Sequence, residues 1–299
     1  MMTEGSRSGH GMDAKIVDTR LGPVQCARLG EGTPVLVVHG TPGGYDQALA
    51  MSRFLGRERF EAILPSRPGY LETQLGERGS LDAQADLLAA LLDALSVEQA
   101  GVLCWSGGGP PAYRLAVRHP DRVHAIVACD CVSKAYPRPH ESVSDKLMFH
   151  TRGGQWLLRA LIAHSPKQVI AGSLDQEGDL SKEQLTQRVQ EVLDDPAKRQ
   201  LVLEVSATVS QIGRRAGYDN DIERFETIDD LELERIRAPS LIVHGTADTD
   251  VPPDHGRSAA ARIPNAELLE LDTGTHFAFY THPDADRAQA RAIEYLKIS

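Results

Sequence analysis

The sequence predicts an α/β fold with a mostly parallel central sheet flanked by helices and with an inserted helical cap. Short runs rich in valine, leucine and isoleucine alternate with helical patterns before about residue 130 and again after about residue 238. Such runs are typical of strands buried on both faces of a parallel sheet. From about Ser133 to Arg237 helical patterns dominate instead, with no clear buried strand. This segment is therefore predicted to be a cap or lid inserted into the α/β domain.

The first half of the chain contains the patterns of six strands and three helices. The predicted strands are Lys15–Arg20, Pro23–Leu29, Pro34–His39, Phe60–Leu64, Gly101–Trp105 and Val123–Cys129, the first two forming a hairpin. The predicted helices run from Asp46 to about Leu55, from the N-cap Ser80 to about Leu95, and from Gly109 to His119. Strands and helices that alternate at this spacing indicate right-handed βαβ units and hence a parallel sheet.

The second half contains the cap and the return to the sheet. Helical patterns cover Lys146–Leu161, Ser181–Leu193 and Pro196–Gly213 in the cap; then follow strand Pro239–His244, helix Pro253–Arg262, strand Glu267–Leu271 and helix Asp284–Leu296. The predicted division is a flexible tail at residues 1–14, a core at 15–132 and 238–299, and a cap at 133–237. The tail is polar and glycine-rich and has no apolar core of a signal peptide.

Composition narrows the class of protein. The 32 basic and 42 acidic side chains give a net charge of −10, so neither nucleic acid nor an anionic membrane is an expected partner. No apolar run approaches the roughly 18 residues of a membrane span. The four cysteines show no CxxC or zinc spacing, which favours reduced thiols and a cytoplasmic protein. The expected partner is a small-molecule substrate; the sequence does not indicate an oligomeric state.

The segment Gly101–Arg114, GVLCWSGGGPPAYR, has the pattern of a nucleophile elbow. An apolar strand leads into Ser106, and a helix follows, so the serine is expected on a sharp, strained strand-to-helix turn with its hydroxyl exposed. Small residues are needed there because strand and helix backbones approach closely. Gly107 satisfies this requirement, whereas Cys104 stands where the G-x-S-x-G pattern has glycine.

A serine hydroxyl needs a base to accept its proton and a third group to orient that base. His276 follows the last predicted strand and is the candidate base. Asp248, in the loop after the preceding strand, is the favoured orienting carboxylate because it follows Gly245 by three residues. Asp250 and Asp130 remain alternatives, since both lie in loops at the same edge of the predicted sheet.

Further candidates concern the oxyanion and the substrate. Gly107 follows the nucleophile and would supply one backbone N–H to an oxyanion. Thr41 would supply the other, because Pro42 after it has no N–H. Trp105, Met148, Phe149 and Trp156 are candidate substrate contacts. The 11 histidines include no HExxH, so no metal is expected, and the proposed chemistry requires no cofactor.

Together these segments resemble the α/β-hydrolase superfamily, in particular the capped serine hydrolases that include carboxylesterases, serine haloperoxidases and proline iminopeptidases. The matching segments are His39–Gly44 (HGTPGG), Arg67–Tyr70 (RPGY), Trp105–Pro110 (WSGGGP), Gly245–Pro252 and Gly274–Phe277. The resemblance implies a triad in the order Ser106, Asp248, His276 and an oxyanion hole at Thr41 and Gly107. It spans about residues 34–282, and the cap shows no specific match.

A serine nucleophile favours acyl transfer, and a small-molecule ester is the first expectation for the substrate. Relatives that act on epoxides or haloalkanes carry aspartate at the position of Ser106, which disfavours those reactions. An aminopeptidase or amidase, a lactonase, and a carbon–carbon bond hydrolase remain alternatives on the same triad. The alternative to an enzyme is a small-molecule receptor of the same fold with little turnover.

Overall fold

The computed structural model describes residues 14–137 and 148–297. One eight-stranded sheet runs through the molecule in the order β1-β2-β4-β3-β5-β6-β7-β8. Its strands are β1 Lys15–Thr19, β2 Gly22–Leu29, β3 Thr33–Val38, β4 Phe60–Pro65, β5 Ala100–Trp105, β6 Val123–Cys129, β7 Ser240–Gly245 and β8 Ala266–Leu271. The β1–β2 and β2–β4 pairs are antiparallel and the others are parallel. The mostly parallel sheet predicted from the sequence is therefore confirmed.

Helices pack on both faces of this sheet, and a helical segment lies between β6 and β7. The helices are α1 Tyr45–Met51, α2 Leu81–Ala94, α3 Gly109–Arg118, α4 Arg152–His164, α5 Pro166–Gln176, α6 Lys182–Asp194, α7 Pro196–Thr208, α8 Arg215–Glu226, α9 Asp254–Arg262, α10 Ala278–Thr281 and α11 Ala285–Leu296. Across the residues described, no helix combines the length and apolar character that crossing a membrane demands.

The central strands are apolar because both of their faces are buried. Every residue of β5 and β7 is buried, as are the last four of β3, so these strands have apolar side chains on both faces. Two hydrophobic clusters result, one on each side of the sheet. Helix α2 begins where predicted because the Ser80 hydroxyl accepts a hydrogen bond from the Ala83 N–H.

The segment between β6 and β7 differs in detail from the sequence prediction. It has no strand in its described part, as expected, but helices α5 and α8 were not predicted separately. Helix α4 begins at Arg152, and the start of the helix predicted over Lys146–Leu161 lies outside the described residues, as does the predicted N-terminal tail apart from Ala14. Helix α7 ends at Thr208 rather than Gly213, whose φ of 74° is incompatible with helix.

The order of the strands in the sheet determines where the candidate site lies. In a parallel sheet the carboxyl ends of neighbouring strands meet at one edge, and β5, β6, β7 and β8 are successive neighbours. The loops that follow these strands carry Ser106, Asp130, Asp248 and His276, which therefore meet although they are far apart in sequence.

Truncating a core side chain of α2 should test this packing. Leu91 is fully buried in the cluster on its side of the sheet. Leu91→Ala is expected to lower the free energy of unfolding by about 2–5 kcal/mol, through lost transfer energy and a residual cavity. Chemical denaturation measures the loss. Leu157→Ala is the control, since Leu157 is 43% exposed and its truncation should cost less than about 1 kcal/mol.

Candidate active site

Ser106 occupies a sharp turn between β5 and α3. Its φ is +55°, a left-handed conformation that is strained for serine. The glycines after Ser106 are required by close contacts with β3 and the loop after it: a Cβ on Gly108 would lie 2.4 Å from the Val38 carbonyl oxygen, and one on Gly107 would lie 2.2 Å from the side-chain oxygen of Thr41. This is the geometry of the predicted nucleophile elbow, and Cys104 is accommodated in it as a buried strand residue.

The structure brings His276 and Asp248 together from different loops. His276 Nδ1 lies 2.8 Å from Asp248 Oδ2, which accepts the Nδ1 proton. The other carboxylate oxygen of Asp248 accepts the backbone N–H groups of Asp250 and Val251, both at 2.9 Å. Asp248 and His276 are 4% and 2% exposed. The carboxylate is thus held from two sides and fixes the tautomer and orientation of the imidazole.

His276 is also held against the elbow. The indole Nε1–H of Trp105, the residue before Ser106, donates to the His276 carbonyl oxygen at 3.1 Å. The two rings are 5.0 Å apart between centroids. Trp105 therefore packs against His276. It is absent from the residues that line the adjoining cavity, so it does not lie where a substrate contact was predicted.

The two candidate carboxylates behind the histidine differ in their ionisation. Burial would raise the pKa of Asp248, but His276 and His244 outweigh it and hold that pKa below its usual range. Asp130 is also fully buried, and burial raises its pKa to about 7, with Asp248 adding to the effect. Its Oδ1 accepts the Gly245 N–H at 2.8 Å. Asp248 therefore remains ionised near neutral pH, whereas Asp130 is substantially protonated and anchors the end of β7.

Two further acids surround His276. The Nε2 atom, on the side of the ring away from Asp248, lies 3.3 Å from Asp250 Oδ2. Glu177 lies just after α5, and its backbone carbonyl oxygen accepts a hydrogen bond from the backbone N–H of His276 at 3.0 Å. Burial alone would lower the pKa of His276, but Asp248, Asp250 and Glu177 together raise it well above its ordinary value. Burial also raises the pKa of Glu177, to about 8.

The two predicted oxyanion residues lie beside Ser106. Thr41 Oγ1 lies so close to Gly107 that a Cβ on this glycine would be only 2.2 Å from it. A Cβ on Gly40 would lie 3.1 Å from Ser106 Cβ, so the loop after β3 passes directly along the serine. The structure therefore brings both segments together at the elbow.

A cavity of about 550 Å³ opens onto Ser106, a volume typical of small-molecule sites. Its floor is formed by the elbow and the loop after β3, and its roof by α4, α5 and the segments around α7 and α8. Of the predicted substrate contacts, Met148 and Phe149 line it. Trp156 does not, because it lies on the outer side of α4 and is 72% exposed. Within the described chain, the acidic lining residues are Glu177 and Asp250.

One group of buried side chains has the composition of a metal site. Ligand atoms of Asp130, His244 and Asp248 all lie within 4.8 Å of one another. Both oxygens of Asp248 already bind His276 or backbone N–H groups, and His244 Nε2 lies 2.8 Å from the Val251 carbonyl oxygen. We therefore treat the group as part of the hydrogen-bond network that supports the histidine.

Comparison with known proteins identifies the family. The sequence profile of the alpha/beta hydrolase fold matches residues 33–283. The chain belongs to the alpha/beta hydrolase fold family. A solved alpha/beta hydrolase fold protein from Nakamurella multipartita is 48% identical, covers 95% of this chain and 99% of its own, and superposes with a TM-score of 0.93.

Curated relatives of this alpha/beta hydrolase include enzymes of two reaction types. A pimeloyl-[acyl-carrier protein] methyl ester esterase of Chromobacterium violaceum is 28% identical over 89% of this chain and 96% of its own. A 2-hydroxy-6-oxo-6-phenylhexa-2,4-dienoate hydrolase of Burkholderia cepacia is 24% identical over 86% and 85%. One is named an esterase and the other a hydrolase, and together with the family match they make this chain a hydrolase of the same fold.

Sequence reasoning about this alpha/beta hydrolase missed three residues near the site: Glu177, Arg67 and Asp221. Arg67 was recognised only as part of the RPGY segment, without a role. Glu177 and Asp221 lie between β6 and β7, where an acidic residue in a charged helical segment gives no local signal. Their positions follow only from the way this helical segment packs against the rest of the chain.

Proposed function

We propose that this chain is a serine hydrolase that cleaves small-molecule esters through an acyl-enzyme. The triad is Ser106, His276 and Asp248, and the backbone N–H groups of Thr41 and Gly107 form the oxyanion hole. The observation that carries the proposal is the strained serine at the cavity, preceded by Trp105, which packs on a histidine whose Nδ1 is 2.8 Å from a buried carboxylate.

The mechanism follows from the roles of these groups. Neutral His276 takes the Ser106 proton on Nε2, and Ser106 Oγ attacks the acyl carbon. The N–H groups of Thr41 and Gly107 stabilise the negative oxygen that forms. His276 then gives the proton to the departing alcohol oxygen, which leaves an acyl-Ser106 ester. A water molecule, deprotonated by His276, hydrolyses this ester and restores the serine. Asp248 stays ionised and stabilises the imidazolium in each step.

The cavity indicates the class of ester. Its volume suits a small molecule, and its lining is mainly apolar. The Asp250 carboxylate disfavours a substrate that brings a carboxylate next to it, whereas Glu177, with a pKa of about 8, is mainly protonated near neutral pH and can donate a hydrogen bond. A neutral ester therefore fits better than a dienoate of the kind named for the Burkholderia cepacia relative. The methyl ester esterase of Chromobacterium violaceum supports the same choice of bond.

The test is a series of p-nitrophenyl esters from acetate to octanoate, with a succinate half ester as the anionic member. Multiple turnover of the neutral esters, slower turnover of the succinate ester and labelling of Ser106 by a fluorophosphonate are expected. Labelling without ester turnover would favour an amide, lactone or carbon–carbon bond as the substrate. Neither labelling nor turnover would contradict the proposal and favour a receptor.

The acids around His276 predict a pH dependence. His276 is active as a base when neutral, so kcat/KM should rise with pH as its imidazolium deprotonates. The Asp250 carboxylate near Nε2 favours the imidazolium, which moves this rise to higher pH. Asp250→Asn should therefore shift the acidic limb of the kcat/KM profile to lower pH. The control is Asp272→Asn, which removes an exposed carboxylate from the loop before His276. An unchanged limb in Asp250→Asn would contradict the prediction.

A further inference from the structure

A buried ion pair joins the cap to the loop that carries Thr41. Arg67, after β4, and Asp221, in cap helix α8, are 1% and 0% exposed. The guanidinium binds the carboxylate through two hydrogen bonds, Nη1 to Oδ1 at 3.0 Å and Nη2 to Oδ2 at 2.6 Å. Asp221 Oδ2 also accepts the Tyr70 hydroxyl at 2.5 Å. A buried charge pair is costly unless it is fully hydrogen-bonded, and this one is.

Arg67 also binds the loop after β3, while its Nη1 donates a further hydrogen bond to Gln84 Oε1 at 3.1 Å. Its Nε donates to the His39 carbonyl oxygen at 3.2 Å, and its Nη2 donates to the Gly40 carbonyl oxygen at 3.1 Å. Nη2 also lies 2.9 Å from Thr41 Oγ1, whose own proton goes to Asp221 Oδ2 at 2.6 Å. Three successive loop residues are thus held by one ion pair.

The bond to the Gly40 carbonyl sets the direction of the Thr41 N–H. The Gly40 carbonyl and the Thr41 N–H belong to the same planar trans peptide, so they point in opposite directions. The Gly40 oxygen is held on one side by Arg67 and by His39 Nδ1, which lies 2.8 Å away. His39 Nε2 accepts the Arg67 backbone N–H at 2.9 Å, which puts its proton on Nδ1. The Thr41 N–H is therefore held pointing away from Arg67.

From this geometry we propose that Asp221 and Arg67 are positioning residues for the oxyanion hole, with Asp221 acting through Arg67 and the Thr41 hydroxyl. The proposal rests on the proposed serine hydrolase function. It makes a cap residue part of the catalytic arrangement: when α8 is seated, Asp221 fixes Arg67, and Arg67 fixes the peptide that presents the Thr41 N–H. A structural ion pair that merely fastens the cap would have no such effect on the chemical step.

The variants separate these two roles. Thr41→Val removes the hydroxyl but retains the backbone N–H and the ion pair, whereas Thr41→Ser retains the hydroxyl. Asp221→Asn removes the charge that holds Arg67. The matched control is Asp46→Asn, because Asp46 forms another core-to-cap ion pair, with Arg214, and neither of these side chains is hydrogen-bonded to the Gly40 peptide.

The first readout is kcat and KM for the p-nitrophenyl ester that is hydrolysed fastest, with kcat calculated from the concentration of folded protein. Thr41→Val and Asp221→Asn should each lower kcat by about 10- to 100-fold, less than the full loss of an oxyanion donor, with KM within about threefold. Thr41→Ser should restore kcat to within about threefold of the unchanged protein. Asp46→Asn is expected to lower Tm and to leave kcat unaltered. If Asp221→Asn lowers only Tm, as Asp46→Asn does, the proposal is wrong.

Hydrogen exchange supplies a readout that does not depend on turnover. Amide exchange in residues 39–44 should become at least about tenfold faster in Asp221→Asn and remain unaltered in Asp46→Asn. Equal exchange in both variants would overturn the proposal even if no ester were hydrolysed. Failure of the proposed function has a different signature, namely absence of turnover and of fluorophosphonate labelling in the unchanged protein.

Discussion

Ser106→Ala is expected to lower kcat for p-nitrophenyl butanoate by about 10⁴- to 10⁶-fold. The variant keeps the cavity and the oxyanion donors, but it has no nucleophile to form the acyl-enzyme. Initial rates at saturating ester, with a long incubation for the variant, measure the loss. Fluorophosphonate labelling should disappear in parallel.

The matched control for this substitution is Ser52→Ala. Ser52 is also buried, at 3% exposed, but its hydroxyl donates to the Leu49 carbonyl oxygen away from the cavity. That variant should retain kcat within a few-fold. Turnover of Ser106→Ala at a rate near that of the unchanged protein would show that Ser106 is not the nucleophile. His276→Ala should lose on the order of 10⁴-fold or more, because the serine then has no base.

Asp248→Asn is expected to lower kcat by about 10⁴-fold, while Asp130→Asn should lower it by less than about tenfold. An amide at position 248 can donate to Nδ1, which favours the wrong tautomer of His276 and removes the charge that stabilises the imidazolium. Asp130 is substantially protonated near neutral pH, since its pKa is about 7, so an amide there is a close substitute. Steady-state kinetics on both purified variants decide between the two acids.

The opposite result for these two variants would reverse the assignment of the orienting acid. If Asp130→Asn showed the larger loss, the acid would be the residue after β6. Circular dichroism and Tm accompany both measurements, because Asp130 anchors Gly245 and its substitution is expected to cost stability.

The sheet could be predicted from the sequence because its strands are encoded locally. The run Pro34–Val38 is apolar throughout, which is typical of a strand covered on both faces; the structure has β3 at Thr33–Val38. The elbow was also readable, since three glycines after Ser106 satisfy contacts that a Cβ would prevent. These signals depend on neighbours in the chain and are therefore visible without the fold.

The cap was less predictable for an equally physical reason. Helix α5 begins at Pro166 directly after α4 ends at His164, whereas the sequence prediction has no helix between Leu161 and Ser181. The proline at the first position of α5 was the available signal for a new helix. Helix α8 is rich in charged residues and shows little apolar periodicity, because two of its five buried residues, Asn220 and Asp221, are polar.

By itself, the sequence determined the α/β class, the position of the elbow and the loops from which partners for Ser106 could come. Only the tertiary structure decided that Asp248 faces His276 Nδ1, that Asp250 lies near Nε2, and that Asp221 reaches Arg67 across 154 residues of chain. The reason is that backbone conformation is set by nearby residues, whereas charge interactions depend on distances and burial that arise when distant segments pack. A carboxylate has the same local signature whether it is ionised beside a histidine or protonated beneath a strand.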